Sequence, residues 1–185
     1  MPSSRRRIAV YYASHDGQTR KIVDRLAEHL GARGVGVTLT DLMHVPTPEA
    51  DAEADLVLVA TAIRYGVHLK PARLFLARAK ASLPASRLGV LSINLTARKP
   101  GRQTAGGNVY LRKWLQRLDL TPAFAAAVAG RLDYPAYRWR DRLMIRAIMR
   151  ITGGPTDPNA VVEYTDWAQV EALADQLTAL VGTAA

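Results

Sequence analysis

Short unbroken apolar runs alternate along this chain with longer stretches whose apolar residues recur at helical spacing. Ile8-Ala9-Val10-Tyr11-Tyr12 is the first run and predicts a buried strand over 8–13. A helix is expected over 18–33, with Gly31 and Gly34 as stop signals, and a second strand over Val35 to Thr40. Asp41 to Asp55 is a loop with two prolines and several acids, and a helical turn is expected around Glu49 to Glu53. Leu56-Val57-Leu58-Val59-Ala60-Thr61 is the clearest strand. Its lack of alternation implies burial on both faces, as in a parallel sheet. A helix over 71–82 and a strand over Arg87 to Ile93 follow. Next come a helix over 104–118, opening on Gly106-Gly107, and a strand from Phe124 to Gly130. A basic helix over 138–152 is stopped by Gly153-Gly154-Pro155, and Asp166 caps a last helix that runs to Val181.

Strands alternating with helices predict an α/β three-layer sandwich, a five-stranded parallel sheet with helices on both faces. The expected strand order is 2-1-3-4-5. Ligands in such sheets bind at the strand C-terminal ends, at the switch between the first and third strands. That brings together the loops 14–19, 61–68 and 92–99.

The first of these loops, Ser14-His15-Asp16-Gly17-Gln18-Thr19, joins a strand to a helix N-terminus. Such a loop offers hydroxyls, unpaired backbone N–H groups and the positive end of the helix dipole to an anion. Ser14 and Thr19 can each donate an O–H, and Gly17 lets the backbone approach closely. The loop lacks the lysine of a triphosphate loop and the glycine triplet of a dinucleotide fingerprint, so a single monophosphate suits it better. On the loop alone, a plain N-capped turn fits as well as a phosphate cradle.

Composition narrows the partners. The 185 residues suit one domain over 8–185 with a basic tail over 1–7, and 49% are hydrophobic, enough for a full core. There is no cysteine, which excludes disulfides, thiolate metal sites and a cysteine nucleophile. Arg5-Arg6-Arg7 is basic, but the apolar run after it is short for a secretory signal, and no run approaches the ~20 residues of a membrane span. The expected location is therefore the cytoplasm. The net charge of +9 calls for an anionic partner: nucleic acid, an anionic membrane or an acidic small molecule. No nucleic-acid recognition motif is present, so none is expected as a partner.

Six segments carry a resemblance across nearly the whole chain. They are Asp16 to Arg20, Ala62 to Gly66, Asn94 to Pro100, Tyr134 to Arg142, Gly153-Gly154 and Tyr164 to Trp167. In this order they are similar to the menaquinone-dependent protoporphyrinogen IX dehydrogenases, a flavodoxin-like branch of bacterial haem synthesis. The usual flavodoxin phosphate loop is richer in Thr and Ser; this one has Asp16-Gly17-Gln18 in its middle. The resemblance implies a flavodoxin-like fold, with 131–157 as a basic helical insertion between strand 5 and the last helix. It implies an FMN enzyme that oxidises protoporphyrinogen IX to protoporphyrin IX. Electrons would pass to menaquinone or ubiquinone, with the protein peripheral at the cytoplasmic face of the inner membrane.

Carried onto this sequence, the FMN site comprises Ser14, His15, Asp16, Gly17, Gln18 and Thr19 for the phosphate. The loops Thr61, Ala62, Ile63, Arg64, Tyr65, Gly66 and Ser92, Asn94, Leu95, Thr96, Ala97, Arg98 would flank the ring. Tyr65 is the only aromatic in either ring loop. Either it covers one side of the ring, leaving the other open to a flat substrate, or it packs on its own loop. Arg64, Arg98 and Lys99 could pair with propionates, or be solvated charge. Arg64 and His68 are the catalytic candidates. A histidine at 68 could relay a proton near neutrality, though a plain surface histidine is the blander reading. His15, His29 and His44 have no spaced partners, so no metal site is expected. In the helix 138–152, Arg138, Arg142, Arg146 and Arg150 recur every four residues. They lie beside an apolar arc of Leu143, Met144, Ala147, Ile148 and Ile151, with Trp139 near the start. Such a helix can lie on an anionic membrane surface, or pack on the sheet edge with its arginines solvated. Two other classes compete: a flavodoxin-like quinone reductase of another substrate, and an electron carrier. Carriers of that kind are usually acidic, and the +9 charge argues against one.

Overall fold

Every residue of the first strand after Arg7 is buried, and a strand with no polar face has to be covered on both sides. The computed structural model describes residues 6–45 and 47–183. Its elements run β1 (Arg7–Ala13), α1 (Gln18–Ala32), β2 (Gly36–Asp41), β3 (Leu56–Arg64), β4 (Val67–His68), α2 (Lys70–Ser82), β5 (Leu88–Ile93), α3 (Val109–Arg117), β6 (Phe124–Val128), β7 (Arg131–Asp133), α4 (Trp139–Thr152), β8 (Val161–Glu163) and α5 (Trp167–Thr183). The five long strands lie in the order β2-β1-β3-β5-β6, all parallel, which is the expected 2-1-3-4-5 arrangement.

Alternate residues of each central strand enter opposite layers. Val10, Tyr12, Leu58 and Leu91 pack with Ile22 and Leu26 of α1 and Val170 and Leu177 of α5. Ala9, Tyr11, Val57 and Val90 pack with Phe75 and Leu76 of α2 and Leu111 and Trp114 of α3. A fully buried leucine contributes about 2 kcal/mol, so these two layers hold the sheet rigid beneath the site. The register pairs Ala13 with Thr61 and Thr61 with Ser92. The C-terminal ends of β1, β3 and β5 therefore finish side by side, and the loops that follow them meet.

Several elements differ from expectation. The helix foreseen over 104–118 begins only at Val109, because the Asn108 side chain accepts from the Leu111 N–H at 3.2 Å and caps it. The glycines before it form an irregular loop, so tight that a Cβ on Gly107 would lie 1.9 Å from the Gly101 carbonyl oxygen. That loop seals the free edge of β6, where Ala127 N–H donates to Gln103 O at 2.7 Å. No helix forms at 49–53; instead Asp51 holds a turn by accepting from Glu53 N–H at 2.9 Å. Arg7 belongs to β1, and residues 1–5 of the expected tail lie outside the described residues.

The segment after β6 is more than a helix. β7 and β8 form an antiparallel two-stranded ribbon, and α4 lies between them in sequence. Leu132, Tyr134 and Met149 make a small core of their own, which also receives Leu95, Ile145 and Val162. The Tyr134 hydroxyl donates to Pro155 O at 2.8 Å and closes it. This unit stands over the C-terminal edge of the sheet.

Candidate active site

A cleft of about 580 Å3 opens at the C-terminal ends of β1, β3 and β5. One wall consists of the loops predicted from the sequence: Ser14, His15, Asp16, Gln18 and Thr19, then Ala62 to Gly66, then Asn94, Leu95, Thr96 and Arg98. Gly17, Thr61, Ser92 and Ala97 of the predicted set do not line it. Thr61, Ser92 and Ala97 are buried behind the wall. Gly17 is the N-cap of α1, at φ 81°, a left-handed conformation that glycine adopts without strain.

The loop 14–19 has an unusual hydrogen-bond state. Ser14 Oγ and Thr19 Oγ1 are both buried, and neither has a partner among the described residues. Gly17 caps α1 through its backbone alone, with no side-chain hydrogen bond. A buried hydroxyl without a partner costs about 1–3 kcal/mol. Two of them beside the unpaired N–H groups of a helix start are a donor set suited to an anion. The loop is anchored from behind: Gln18 Nε2 donates to Thr165 Oγ1 at 2.9 Å, which donates to Ala129 O at 2.8 Å.

Between β3 and β4 the chain reverses through Tyr65 and Gly66, both at positive φ (52° and 76°), as a two-residue hairpin turn requires. Glycine tolerates this; for tyrosine it costs on the order of 1 kcal/mol. The conformation carries the Tyr65 hydroxyl across the cleft, where it donates to Asp141 Oδ1. Arg64 Nη2 pairs with Asp141 Oδ2 at 2.5 Å, and Arg64 Nη1 donates to His15 Nε2. The other nitrogen of His15, Nδ1, bonds Asp16 Oδ1 at 2.7 Å. The Tyr65 hydroxyl, and then the Arg64 guanidinium, hold the Asp141 carboxyl below the usual carboxylate range, with Arg138 adding to the effect. Tyr65 therefore carries the Arg64 guanidinium over its ring, 5.3 Å from the centroid, while its hydroxyl reaches the opposite wall.

His68 corrects the sequence reading. It is 3% exposed, does not line the cleft, stacks on Trp114 with centroids 4.2 Å apart, and bonds Ser92 Oγ at 2.8 Å. Ser92 Oγ also accepts from Asn94 Nδ2 at 2.9 Å, and Asn94 exchanges amide bonds with Asn108. The ring thus belongs to a buried network that joins the 94–98 loop through Asn94. Burial, with the charge of Arg73 adding, pushes its pKa from 6.5 down to about 3. As pH falls from 6.5 towards 3 the unfolded chain gains a proton that the folded ring refuses, so stability is lost across that window. By pH 5 the loss from this one ring is about 2 kcal/mol. His68→Gln should therefore flatten the decline in unfolding free energy between pH 7 and pH 5 by that amount. Equal declines in the two proteins would mean that the folded ring accepts the proton.

The opposite wall belongs to the insertion. Tyr137, Arg138, Asp141, Met144, Ile145 and Ile148 face the cleft. Asp141 and the Met144–Ile145 pair went unforeseen, although Asp141 is the only acid between Arg138 and Thr152. The arginine stripe is also corrected. Arg142 Nη2 donates to Pro135 O and Tyr137 O at 3.4 Å, and Arg146 Nε to Thr156 O at 2.9 Å, so both brace the insertion. Trp139 (67% exposed), Leu143 (57%) and Ile151 (85%) face outward with Arg140 and Arg150 exposed about them. Arg98 donates to Leu95 O at 2.8 Å beneath Tyr164, and Lys99 does not line the cleft. Among the described residues no helix is long and apolar enough to cross a membrane.

A flavodoxin domain model matches residues 9–159, and the sheet order and the switch-point cleft are those of that class. Protoporphyrinogen IX dehydrogenase (quinone) of Escherichia coli K12 is 36% identical over 171 residues, 92% of this chain and 94% of that protein. The protein of the same name from Leishmania major is 35% identical over 183 residues, 97% of this chain and 78% of that one. A flavodoxin from the domain Archaea superposes with a TM-score of 0.54 at 13% identity, covering 95% of this chain and 99% of its own. The chain belongs to the flavodoxin-domain family and, within it, to the family of these curated dehydrogenases.

Proposed function

We propose that this chain is an FMN-dependent dehydrogenase that oxidises protoporphyrinogen IX to protoporphyrin IX and passes the electrons to a respiratory quinone. The observation that carries this reading is the pair of buried, unpartnered hydroxyls, Ser14 Oγ and Thr19 Oγ1, at the head of α1. The flavodoxin-domain match supports reading the cleft as a flavin site, and a cradle with two hydroxyls and no lysine of its own suits one phosphate, hence FMN. The flavin, when bound, supplies the hydride chemistry and the two-way electron transfer. The protein's own residues bind and orient. Ser14, Thr19 and the first N–H groups of α1 would hold the phosphate. Ala62 to Gly66 with Asn94, Leu95, Thr96 and Arg98 would flank the ring. Met144, Ile145 and Ile148 give the outer part of the cleft an apolar wall suited to a flat tetrapyrrole, and exclude water there. The unit 131–157 is an insertion on a single domain spanning 8–185.

The outward face of α4 supports peripheral binding at the cytoplasmic face of the inner membrane, where the quinone is dissolved. Its Trp139, Leu143 and Ile151 can enter the interface while Arg140 and Arg150 meet anionic headgroups. The net charge of +9 suits that surface better than it suits an electron carrier.

A steady-state assay tests the reading. Flavin-loaded protein given protoporphyrinogen IX and a quinone should generate porphyrin fluorescence that depends on both FMN and quinone. Quinone reduction from other donors, with no porphyrin formed, would move the chain to the general quinone reductases.

A further inference from the structure

Of the cations lining the cleft, Arg64 is engaged by a carboxylate from across it. Asp141 comes from α4, Arg64 and Tyr65 from the β3–β4 turn, so their contact bridges the two walls. Asp141 is 5% exposed and uses both oxygens there, one on the guanidinium and one on the hydroxyl. A planar guanidinium and a phenol converging on one point make a receptor for any carboxylate that can reach it. The turn keeps Tyr65 in a strained left-handed conformation that presents the hydroxyl to this point.

We infer that Arg64 and Tyr65 form a carboxylate subsite of the cleft, and that Asp141 is its internal occupant, displaced by a propionate-type carboxylate of the tetrapyrrole. This rests on the function proposed above. Asp141 then sets specificity in two ways. It keeps small anions off Arg64, since an occupant on the same chain is present at high effective concentration. It also couples substrate binding to release of the insertion wall, because Asp141 is α4's ionic tie to the turn. Once displaced, Asp141 has Arg138 on its own helix to pair with, a cation that already acts on its carboxyl. An internal competitor lowers apparent substrate affinity by the fraction of molecules in which the subsite is free. Removing the competitor's charge should therefore tighten binding.

The test uses the flavin-loaded protein and two ligands in the same detergent, protoporphyrin IX and its dimethyl ester, with Kd read from fluorescence. Asp141→Asn should bind the diacid about tenfold more tightly than wild type does and the diester within twofold. Arg64→Gln should weaken the diacid to the level of the diester. The double variant should behave as Arg64→Gln alone, since the two residues act on one subsite. In turnover, Asp141→Asn should lower KM without a matching rise in kcat. Equal weakening of both ligands by Asp141→Asn would overturn the inference, as would tightening that persists without Arg64. Should Asp141→Asn fail to fold, wild type and Arg64→Gln still decide, because equal binding of diacid and diester by wild type sinks the subsite. A flavin-loaded wild type that binds neither porphyrin and oxidises no porphyrinogen overturns the proposed function itself. One that turns over substrate but shows no response to Asp141→Asn overturns only the subsite.

Discussion

Thr19→Val is expected to lower FMN affinity by roughly ten- to a hundredfold while leaving the flavin-free protein as stable as wild type or more so. The two effects have opposite signs for one reason. Thr19 is 1% exposed and its hydroxyl has no partner among the described residues, so valine, of nearly the same shape, removes a buried polar group that makes no hydrogen bond there. In the complex the same hydroxyl would donate to a charged phosphate oxygen, a bond worth about 1.5–3 kcal/mol, at 1.4 kcal/mol per tenfold. A merely structural threonine would lose stability and flavin affinity together. Chemical denaturation of the flavin-free variant, beside an FMN titration, separates the cases. Unchanged FMN affinity would take Thr19 out of the phosphate site.

The second large effect is expected on membrane binding. Trp139, Leu143 and Ile151 replaced together by Ser should reduce partitioning onto anionic vesicles by about a hundredfold. Even partial burial of three such side chains is worth about 3 kcal/mol in total. The remaining binding should be weak and salt-sensitive, because Arg140 and Arg150 still contribute about 1 kcal/mol each near the surface. FMN binding should not change, as none of the three residues lines the cleft. Arg142 and Arg146 are unsuitable probes, since their guanidinium groups hold backbone carbonyls of the insertion. Co-sedimentation at low and high salt is the measurement. Wild type that stays in the supernatant at low salt, or a triple variant that pellets equally, would mean that this face of α4 has another purpose.

The sheet was legible because its signal is local. Leu56 to Ala60 is an apolar run that only a strand covered on both sides can bury, and four more runs between helical patterns set the order of the strands. The cleft's inner wall followed from that order, since the loops after β1, β3 and β5 must meet. What failed depends on contacts distant in sequence. Asp141 reads as one acid in a basic helix until Arg64, 77 residues earlier, is placed against it. His68 reads as a loop histidine until Trp114 and Ser92 close over it. The α4 apolar residues formed one arc on a helical projection, yet Met144 and Ile148 turn to the cleft while Leu143 and Ile151 turn outward. Periodicity gives the angle around a helix but not which arc meets the protein. The start of α3 was misjudged because Gly107 sits in a loop set by its close packing against Gly101, a constraint that propensity does not contain.

The most direct measurement is anaerobic mixing of the FMN-loaded protein with protoporphyrinogen IX in the absence of quinone. The flavin absorbance should bleach, and because porphyrin formation removes six electrons while each flavin accepts two, at most one porphyrin should appear for every three flavins bleached; adding a quinone should restore the oxidised flavin spectrum and let porphyrin fluorescence rise to completion. A flavin that stays oxidised in the presence of the porphyrinogen, in protein shown to retain FMN, would contradict the assignment of this cleft to protoporphyrinogen oxidation.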